Sequence, residues 1–348
     1  MQTRQHELLN KKQDLQALTH APRAREAAQT LGVTEAEYLA LELGQSVTAV
    51  KMDALVSLFQ SLHSLGEVMA LTRNRAVVFE HHGVYRSPSI KHNNLMFLPP
   101  AIDLRLKVSQ WRYGFFVSQG ERHSLQFFDE RGVASHKTHL TKASNTTAFQ
   151  ALTKQYGEET KYKALTFPAP DPSLTPPSPP QKLDLVRLRQ DWRDLTNAHQ
   201  VNPLLKRYGL TRPQAYHCLG EDSRQVTPVA LKPFLEETVA QALPLLLFAP
   251  NGTATQIHHG TLSQFKQIEQ WLNILDQRFH MHVNLNEIDQ AWIVQKQTGA
   301  HQSQWTLELF DEAQNPIMMA YLHPDATAQN RLQWEKLIHT LKEVDHAF

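Results

Sequence analysis

The chain has 348 residues, 41% of them hydrophobic, and 35 basic against 34 acidic side chains give a net charge of +1. So even a balance provides no field for nucleic acid or an anionic membrane surface. The single cysteine, Cys218, excludes a disulfide framework and a cysteine-built zinc site, and the longest apolar run, Leu243–Pro250, is far too short to span a bilayer.

The N-terminal stretch Met1-Gln2-Thr3-Arg4-Gln5-His6-Glu7 is polar and lacks the apolar core of a signal peptide. With one cysteine, this points to a reducing cytoplasm and a protein not embedded in a membrane. Helical spacing follows over Glu26–Leu31, Thr34–Leu43 and Met52–Leu65, and Thr34-Glu35-Ala36-Glu37 fits a capping box. Short runs rich in aromatic or branched residues then predict strands over Val68–Leu71, Ala76–Phe79, Leu104–Val108, Arg112–Val117 and Ser124–Phe128. Residues 168–180 carry seven prolines (Pro168, Pro170, Pro172, Pro176, Pro177, Pro179 and Pro180) and read as a semi-extended connector. At about 3.1 Å per residue such a segment reaches roughly 40 Å. Beyond it the pattern of helices then strands recurs, and a last helix over about Asn330–Val344 closes the chain.

The second half restates the first. Ser124-Leu125-Gln126-Phe127-Phe128-Asp129 returns 182 residues later as Thr306-Leu307-Glu308-Leu309-Phe310-Asp311. At an offset of 177, Gly32-Val33-Thr34 matches Gly209-Leu210-Thr211, and Asn74, His82 and Gly83 fall on Asn251, His259 and Gly260. Trp111 and Trp292 stand 181 apart, as one short loop insertion would produce. A period this long excludes a solenoid and points to two copies of one domain. The expected fold is α+β, a tandem duplication of a domain with a large antiparallel β-sheet flanked by helices, the two halves packed pseudo-symmetrically. The expected boundaries are 1–165 for the first repeat, 166–181 for the proline-rich linker and 182–348 for the second repeat.

Few side chains stand out chemically. Leu185, Leu188, Trp192 and Leu195 form a helical apolar stripe on which His199 falls next, so this imidazole is expected near the stripe's end and facing inward. The first repeat has Pro22 at that place. A neutral imidazole has one free lone pair, enough to bind a haem iron from one side; the same pattern also suits a satisfied core or helix-end histidine. Arg105 alternates with apolar neighbours in a strand and must find a partner, because burying an unpaired charge is costly; Asp103 is the nearest carboxylate. Its counterpart is His282 in His280-Met281-His282, a pair that one strand face would carry as two metal-ligand candidates. His81-His82 and His258-His259 point to opposite faces and make poor chelates. The chain contains no Gly-rich phosphate loop, no His-Glu-x-x-His and no nucleophile elbow.

With these residues assembled, the chain resembles the cytoplasmic hemin-degrading and haem-transport family of Gram-negative bacteria, the HemS/ChuS type, from about residue 15 to 345. His20-Ala21-Pro22-Arg23-Ala24-Arg25-Glu26, Leu65-Gly66-Glu67-Val68, Ile102-Asp103-Leu104-Arg105 and Trp111 carry the resemblance in the first half. Trp192 to His199, Leu205-Lys206-Arg207, Gln256-Ile257-His258, Phe279 to His282, Ala291-Trp292 and Leu307 to Asp311 carry it in the second. The resemblance implies that His199 is the proximal ligand of a haem iron and that Arg105 is the distal, catalytic arginine. It implies that Arg212 and Lys296 pair with the haem propionates, with Tyr321 a neighbouring polar contact and Phe248 an apolar wall. The chain departs from the family pattern at Lys107, at Met319 and Pro324 (two usual propionate contacts), at Gln297 after Lys296, and at Val201-Asn202 after the ligand histidine. These changes thin the propionate clamp and leave His199 and Arg105 intact.

Two functions follow from the resemblance. One is oxidative degradation of haem b to release its iron, which requires an external electron donor. The other is a non-catalytic carrier that delivers haem to a separate oxygenase. The implied partners are haem itself and a haem oxygenase, a reductase or an inner-membrane haem importer.

Overall fold

The repeated six-residue motif ends two equivalent strands. In the computed structural model, which describes residues 3–92, 94–170, 175–299 and 302–344, Ser124–Asp129 closes one strand and Thr306–Phe310 another, with Asp311 just beyond. The motif recurs because both of its last residues are needed. Phe128 and Phe310 are fully buried, each burial contributing about 1.5–3 kcal/mol. The aspartate that follows turns the chain. Asp129 Oδ1 accepts the backbone N–H groups of Arg131 (3.0 Å) and Val133 (2.9 Å), and Asp311 Oδ1 accepts that of Asn315 (2.8 Å).

The chain forms two compact units, one of Met1–Arg73, Glu80–Ser173 and Gly252–Gln256, the other of Asn74–Phe79, Leu174–Asn251 and Ile257–Phe348. The first opens with α1 (Thr3–Gln16), α2 (Ala24–Thr30) and α3 (Glu35–Ala40), followed by β1 (Val47–Val50), α4 (Leu55–Ser61) and β2 (Gly66–Arg73). After β3 (Val77–Gly83), which is divided between the units, come β4 (Ser89–Lys91), β5 (Asn94–Phe97), β6 (Asp103–Leu106), β7 (Trp111–Gln119), β8 (Arg122–Asp129) and β9 (Ala134–Ser144). Helix α5 (Thr146–Tyr156) and the short β10 (Gly157–Glu158) complete it. Its sheet runs β10-β1-β7-β8-β9-β2, antiparallel throughout, and β4-β5-β6 form a separate meander.

The second unit repeats that plan. Helices α6 (Leu185–Arg193), α7 (Val201–Tyr208) and α8 (Arg212–Tyr216) lead to β11 (Ser223–Val226), α9 (Leu231–Ala240) and β12 (Leu245–Pro250). After β13 (Ala254–Gly260), also divided between the units, the chain continues through β14 (Phe265–Ile268), β15 (Trp271–Leu275), β16 (Phe279–Asn284), β17 (Gln290–Gly299), β18 (Gln302–Phe310), β19 (Pro316–Leu322) and α10 (Ala328–Thr340). The sheet β11-β17-β18-β19-β12 and the meander β14-β15-β16 match β1-β7-β8-β9-β2 and β4-β5-β6 strand for strand. The duplicated α+β architecture is therefore present in the topology as well as in the sequence.

Each sheet separates two cores. In the second unit, Ile293, Leu307, Leu309, Met318 and Ala320 pack with α9 and α10. The opposite face presents Trp292, Val294 and Phe310 to Leu188, Trp192, Leu204, Leu205 and Tyr216 of α6–α8. In the first unit the equivalent cores hold α4 and α5 on one face and α2 and α3 on the other.

Several expected bounds change. The segment 52–65 is not one helix: α4 is flanked by 3-10 turns at Met52–Ala54 and Leu62–Leu65. The three-residue period of the second turn places Leu62 and Leu65 together in the core. Thr34 does cap α3, accepting the N–H of Glu37 (3.2 Å), but the Glu37 carboxylate does not close a capping box. It accepts instead from Tyr162 Oη (2.5 Å) and Arg4 (2.8 Å). Within the proline-rich connector, Pro172 lies outside the described residues; 175–180 have no regular structure. Among the described residues no helix is long and apolar enough to cross a membrane.

Candidate functional site

The α6–α8 face of the second sheet carries a buried ionic cluster. Trp292, Glu308, Met319 and Phe248 lie opposite one another across β17, β18, β19 and β12, so their side chains share one face. Glu308 is fully buried, and Arg212 Nη1 donates to both of its carboxylate oxygens at 3.0 Å. Tyr216 Oη donates to Oε2 at 2.6 Å, and Lys296 Nζ is paired with Oε1. Lys296 Nζ also donates to Tyr321 Oη at 3.3 Å, and the Tyr321 ring meets Phe248 edge-on at 5.4 Å between centroids. Arg212, Lys296, Tyr321 and Phe248, singled out by resemblance, thus come together on one face.

The local sequence explains how Arg212 is held. Thr211 caps α8 by accepting the N–H of Gln214, Pro213 suits the first turn, and Arg212 stands at the first helical position. From there its Nη2 donates to Asn202 Oδ1 on α7 at 3.0 Å, and its Nη1 lies 3.7 Å from Met319 Sδ. Two departures from the family pattern, Asn202 and Met319, are therefore immediate neighbours of the guanidinium. Burial, reinforced by the Arg212 charge, pushes the Lys296 ammonium well below the ordinary lysine range. Burial also raises Tyr216 to about 12, so its phenol is a neutral donor. Pro324 is exposed beyond β19, and its carbonyl accepts from Arg331 Nη2 at 2.8 Å.

His199 is not where the apolar stripe predicts. Helix α6 stops at Arg193, and Asn197 is fully extended (φ −160°, ψ 160°) and caps a new 3-10 turn over Ala198–Gln200. The 3.6-residue period does not carry across that break. Leu188 and Trp192 are buried as expected, but Leu185 is 42% exposed and His199 faces solvent. Among the described residues its imidazole has no hydrogen-bond partner; only its backbone N–H is used, by Asn197 Oδ1 at 3.1 Å. The turn packs against β17, the strand that carries Lys296, and Trp192 Nε1 fixes α6 to the same strand by donating to the Gln295 carbonyl (3.1 Å). The result is a freely offered imidazole on a firmly anchored turn.

Arg105 adopts the satisfied arrangement that its neighbour permitted. Its guanidinium is paired with the buried Asp103 carboxylate, and Nη1 donates to the carbonyls of Phe97 (2.9 Å) and Leu104 (3.1 Å). The side chain remains 38% exposed. Met96, opposite it in the register, and Leu98 are exposed apolar groups of the same meander. Lys107 is exposed and donates to the Gly252 carbonyl at 3.0 Å. His280 and His282 project from one face of β16 with ring centroids 6.3 Å apart, and His282 Nδ1 lies 2.6 Å from Asn273 Oδ1.

Sequence reasoning missed Glu308 and Tyr216. The signal for Glu308 was present: a carboxylate stands in an otherwise apolar strand motif where the first copy has the neutral Gln126. Such a buried charge requires a basic partner.

The description "Haemin-degrading HemS.ChuX domain" matches the chain twice, over residues 32–156 and 209–341. The hemin transport protein HmuS of Yersinia pestis is 32% identical over 332 residues, covering 93% of this chain and 94% of its own. Holo-PhuS, a heme-binding protein from Pseudomonas aeruginosa, superposes with a TM-score of 0.89 at 30% identity, covering 98% of this chain and 99% of its own. ChuS, described as an E. coli heme oxygenase, gives a TM-score of 0.81 at 27% identity over 95% of this chain and 99% of its own. The doubled domain match, the near full-length identity and the shared fold agree, and the chain belongs to the haemin-degrading HemS/ChuX family.

Proposed function

We propose that this protein binds haem as its substrate, with His199 as the single protein ligand to the iron, and degrades it oxidatively so that the iron is released. The observation that carries this reading is the His199 imidazole, exposed and, among the described residues, without a hydrogen-bond partner on a turn anchored to β17. One protein ligand leaves the other side of a haem iron free for oxygen, as oxidative chemistry requires. Arg212 supplies positive charge for a propionate, with Lys296 beneath it, Tyr321 as polar neighbour and Phe248 as apolar wall. Arg105 is the proposed catalytic donor. Held by Asp103 yet 38% exposed, it keeps N–H groups oriented without reorganisation, which is what a hydrogen bond to a developing negative charge demands. The electrons come from an external donor, and the protein acts in the cytoplasm.

A carrier that hands intact haem to a separate oxygenase would use the same binding residues. The two are separated by holding the haem complex with ascorbate in air, with catalase present. Degradation predicts loss of the Soret band with release of CO and iron. A stable Soret band, with haem transferred intact to an added oxygenase, overturns degradation in favour of carriage.

A further inference from the structure

The Arg212–Glu308–Lys296 cluster holds two basic side chains on one carboxylate, and the two are not equally placed. The Lys296 side chain is 1% exposed and that of Glu308 is fully enclosed, whereas that of Arg212 is 12% exposed. Lys296 Nζ is occupied by Glu308 and Tyr321 Oη. An external carboxylate could reach it only by breaking a buried ion pair, which leaves an uncompensated charge. Arg212 differs. Its Nη1 faces inward to Glu308, Tyr216 and Met319, while its Nη2 donates to the side chain of Asn202, itself exposed, and Tyr321 lies beside the guanidinium. Exchanging a neutral amide oxygen for a carboxylate at Nη2 is a gain, because charge-assisted hydrogen bonds are roughly twice as strong as neutral ones.

We infer that Glu308 is the resident counter-anion of this face, and that Lys296 acts on a ligand carboxylate only through it. Lys296 balances Glu308, Glu308 aims the guanidinium, and Arg212 Nη2 makes the contact by displacing Asn202. Lys296 is thus a positioning residue, and of the two cations Arg212 alone selects for a carboxylate. This rests on the haem reading above, with a propionate as the carboxylate.

The test uses the full chain and two probes, haemin and haemin dimethyl ester, titrated by absorbance. The ratio of the two affinities reports carboxylate recognition, which a merely structural role would not move. Glu308→Gln alone would leave two buried cations without their carboxylate and risks misfolding, whereas Lys296→Met leaves Glu308 held by Arg212 and Tyr216. The deciding variant is therefore Lys296→Met, with Lys296→Gln as the more conservative form and near-ultraviolet circular dichroism to confirm folding. Wild type is expected to prefer haemin, Arg212→Gln to lose about tenfold of that preference, and Lys296→Met to keep it within about threefold. A folded Lys296→Met protein that loses the preference as fully as Arg212→Gln overturns the inference, because Lys296 then contacts the ligand. Wild type that binds both probes equally overturns it too. Wild type that binds neither overturns the haem reading itself.

Discussion

Glu35 and Arg212 hold the same position in the two repeats with opposite charge. Each stands one residue after a capping threonine, Thr34 or Thr211, at the first position of its helix. Each is paired with a strand residue of the other sign: Glu35 with Lys137 and Arg73, Arg212 with Glu308. Lys137 occupies the place of Met319, and Gln126 the place of Glu308. The first repeat has its carboxylate on the helix and its cation on the strand; the second reverses the arrangement.

This inversion predicts the response of the first repeat to acid. Burial alone would raise the Glu35 carboxyl, but Lys137 and Arg73 hold it down to about 2, against an ordinary 4.5. A depressed carboxylate contributes stability that is present above the unfolded value and lost as pH falls through the folded one. Glu35 should therefore contribute about 3 kcal/mol at neutral pH, lost between pH 4.5 and about 2. Urea denaturation of Glu35→Gln at pH 7 should show a loss of at least that size, since Lys137 and Arg73 are left without their carboxylate. A loss below about 1 kcal/mol would contradict the pairing.

His136 should make the fold sensitive to milder acid. It is fully buried between Thr72 Oγ1 (2.9 Å from Nδ1) and Tyr85 Oη (2.7 Å from Nε2), and burial lowers its pKa to about 3. The unfolded chain takes up a proton near pH 6.5 that the native protein refuses, so stability falls as pH drops from 6.5 toward about 3. His136→Gln keeps polar atoms there without the titration. Between pH 6.5 and 5 its stability should depend on pH less steeply than that of wild type, the difference approaching about 1.4 kcal/mol per pH unit toward pH 5. Parallel slopes for the two proteins would show that His136 is protonated in the fold.

Arg105 should matter to reaction more than to binding. Its side chain is partly exposed and belongs to no hydrophobic core, so Arg105→Gln should leave haemin affinity nearly unchanged, at a cost in stability because the buried Asp103 carboxylate loses its guanidinium. The rate of reductant-driven haem loss should fall on the order of a hundredfold, the usual cost of removing one oriented donor. An unaltered rate would remove Arg105 from the chemistry.

The duplication was legible because scaffold residues are constrained twice, once in each copy. The Leu-x-x-Phe-Asp end of β8 and β18 has the same burial and the same turn to make, so it keeps the same residues. The break before His199 was not legible. The stripe Leu188–Trp192–Leu195 runs on in sequence, and only the extended backbone of Asn197 shows that the helix has already ended. The partners of the cluster were hidden for another reason. Arg212 and Glu308 are 96 residues apart in the chain, and no periodicity connects positions brought together by sheet closure. The choice of Asp103 by Arg105 was legible, since two residues along a strand share a face.

The central claim is that His199 offers its imidazole to a haem iron, and a haemin titration followed at the Soret band tests it directly. Wild type should develop the band with saturation. His199→Ala should lose or shift it and bind more weakly by at least about tenfold, with its circular dichroism unchanged because the side chain is exposed and makes no hydrogen bond among the described residues. A His199→Ala protein with the same Soret maximum and the same affinity as wild type would contradict the account.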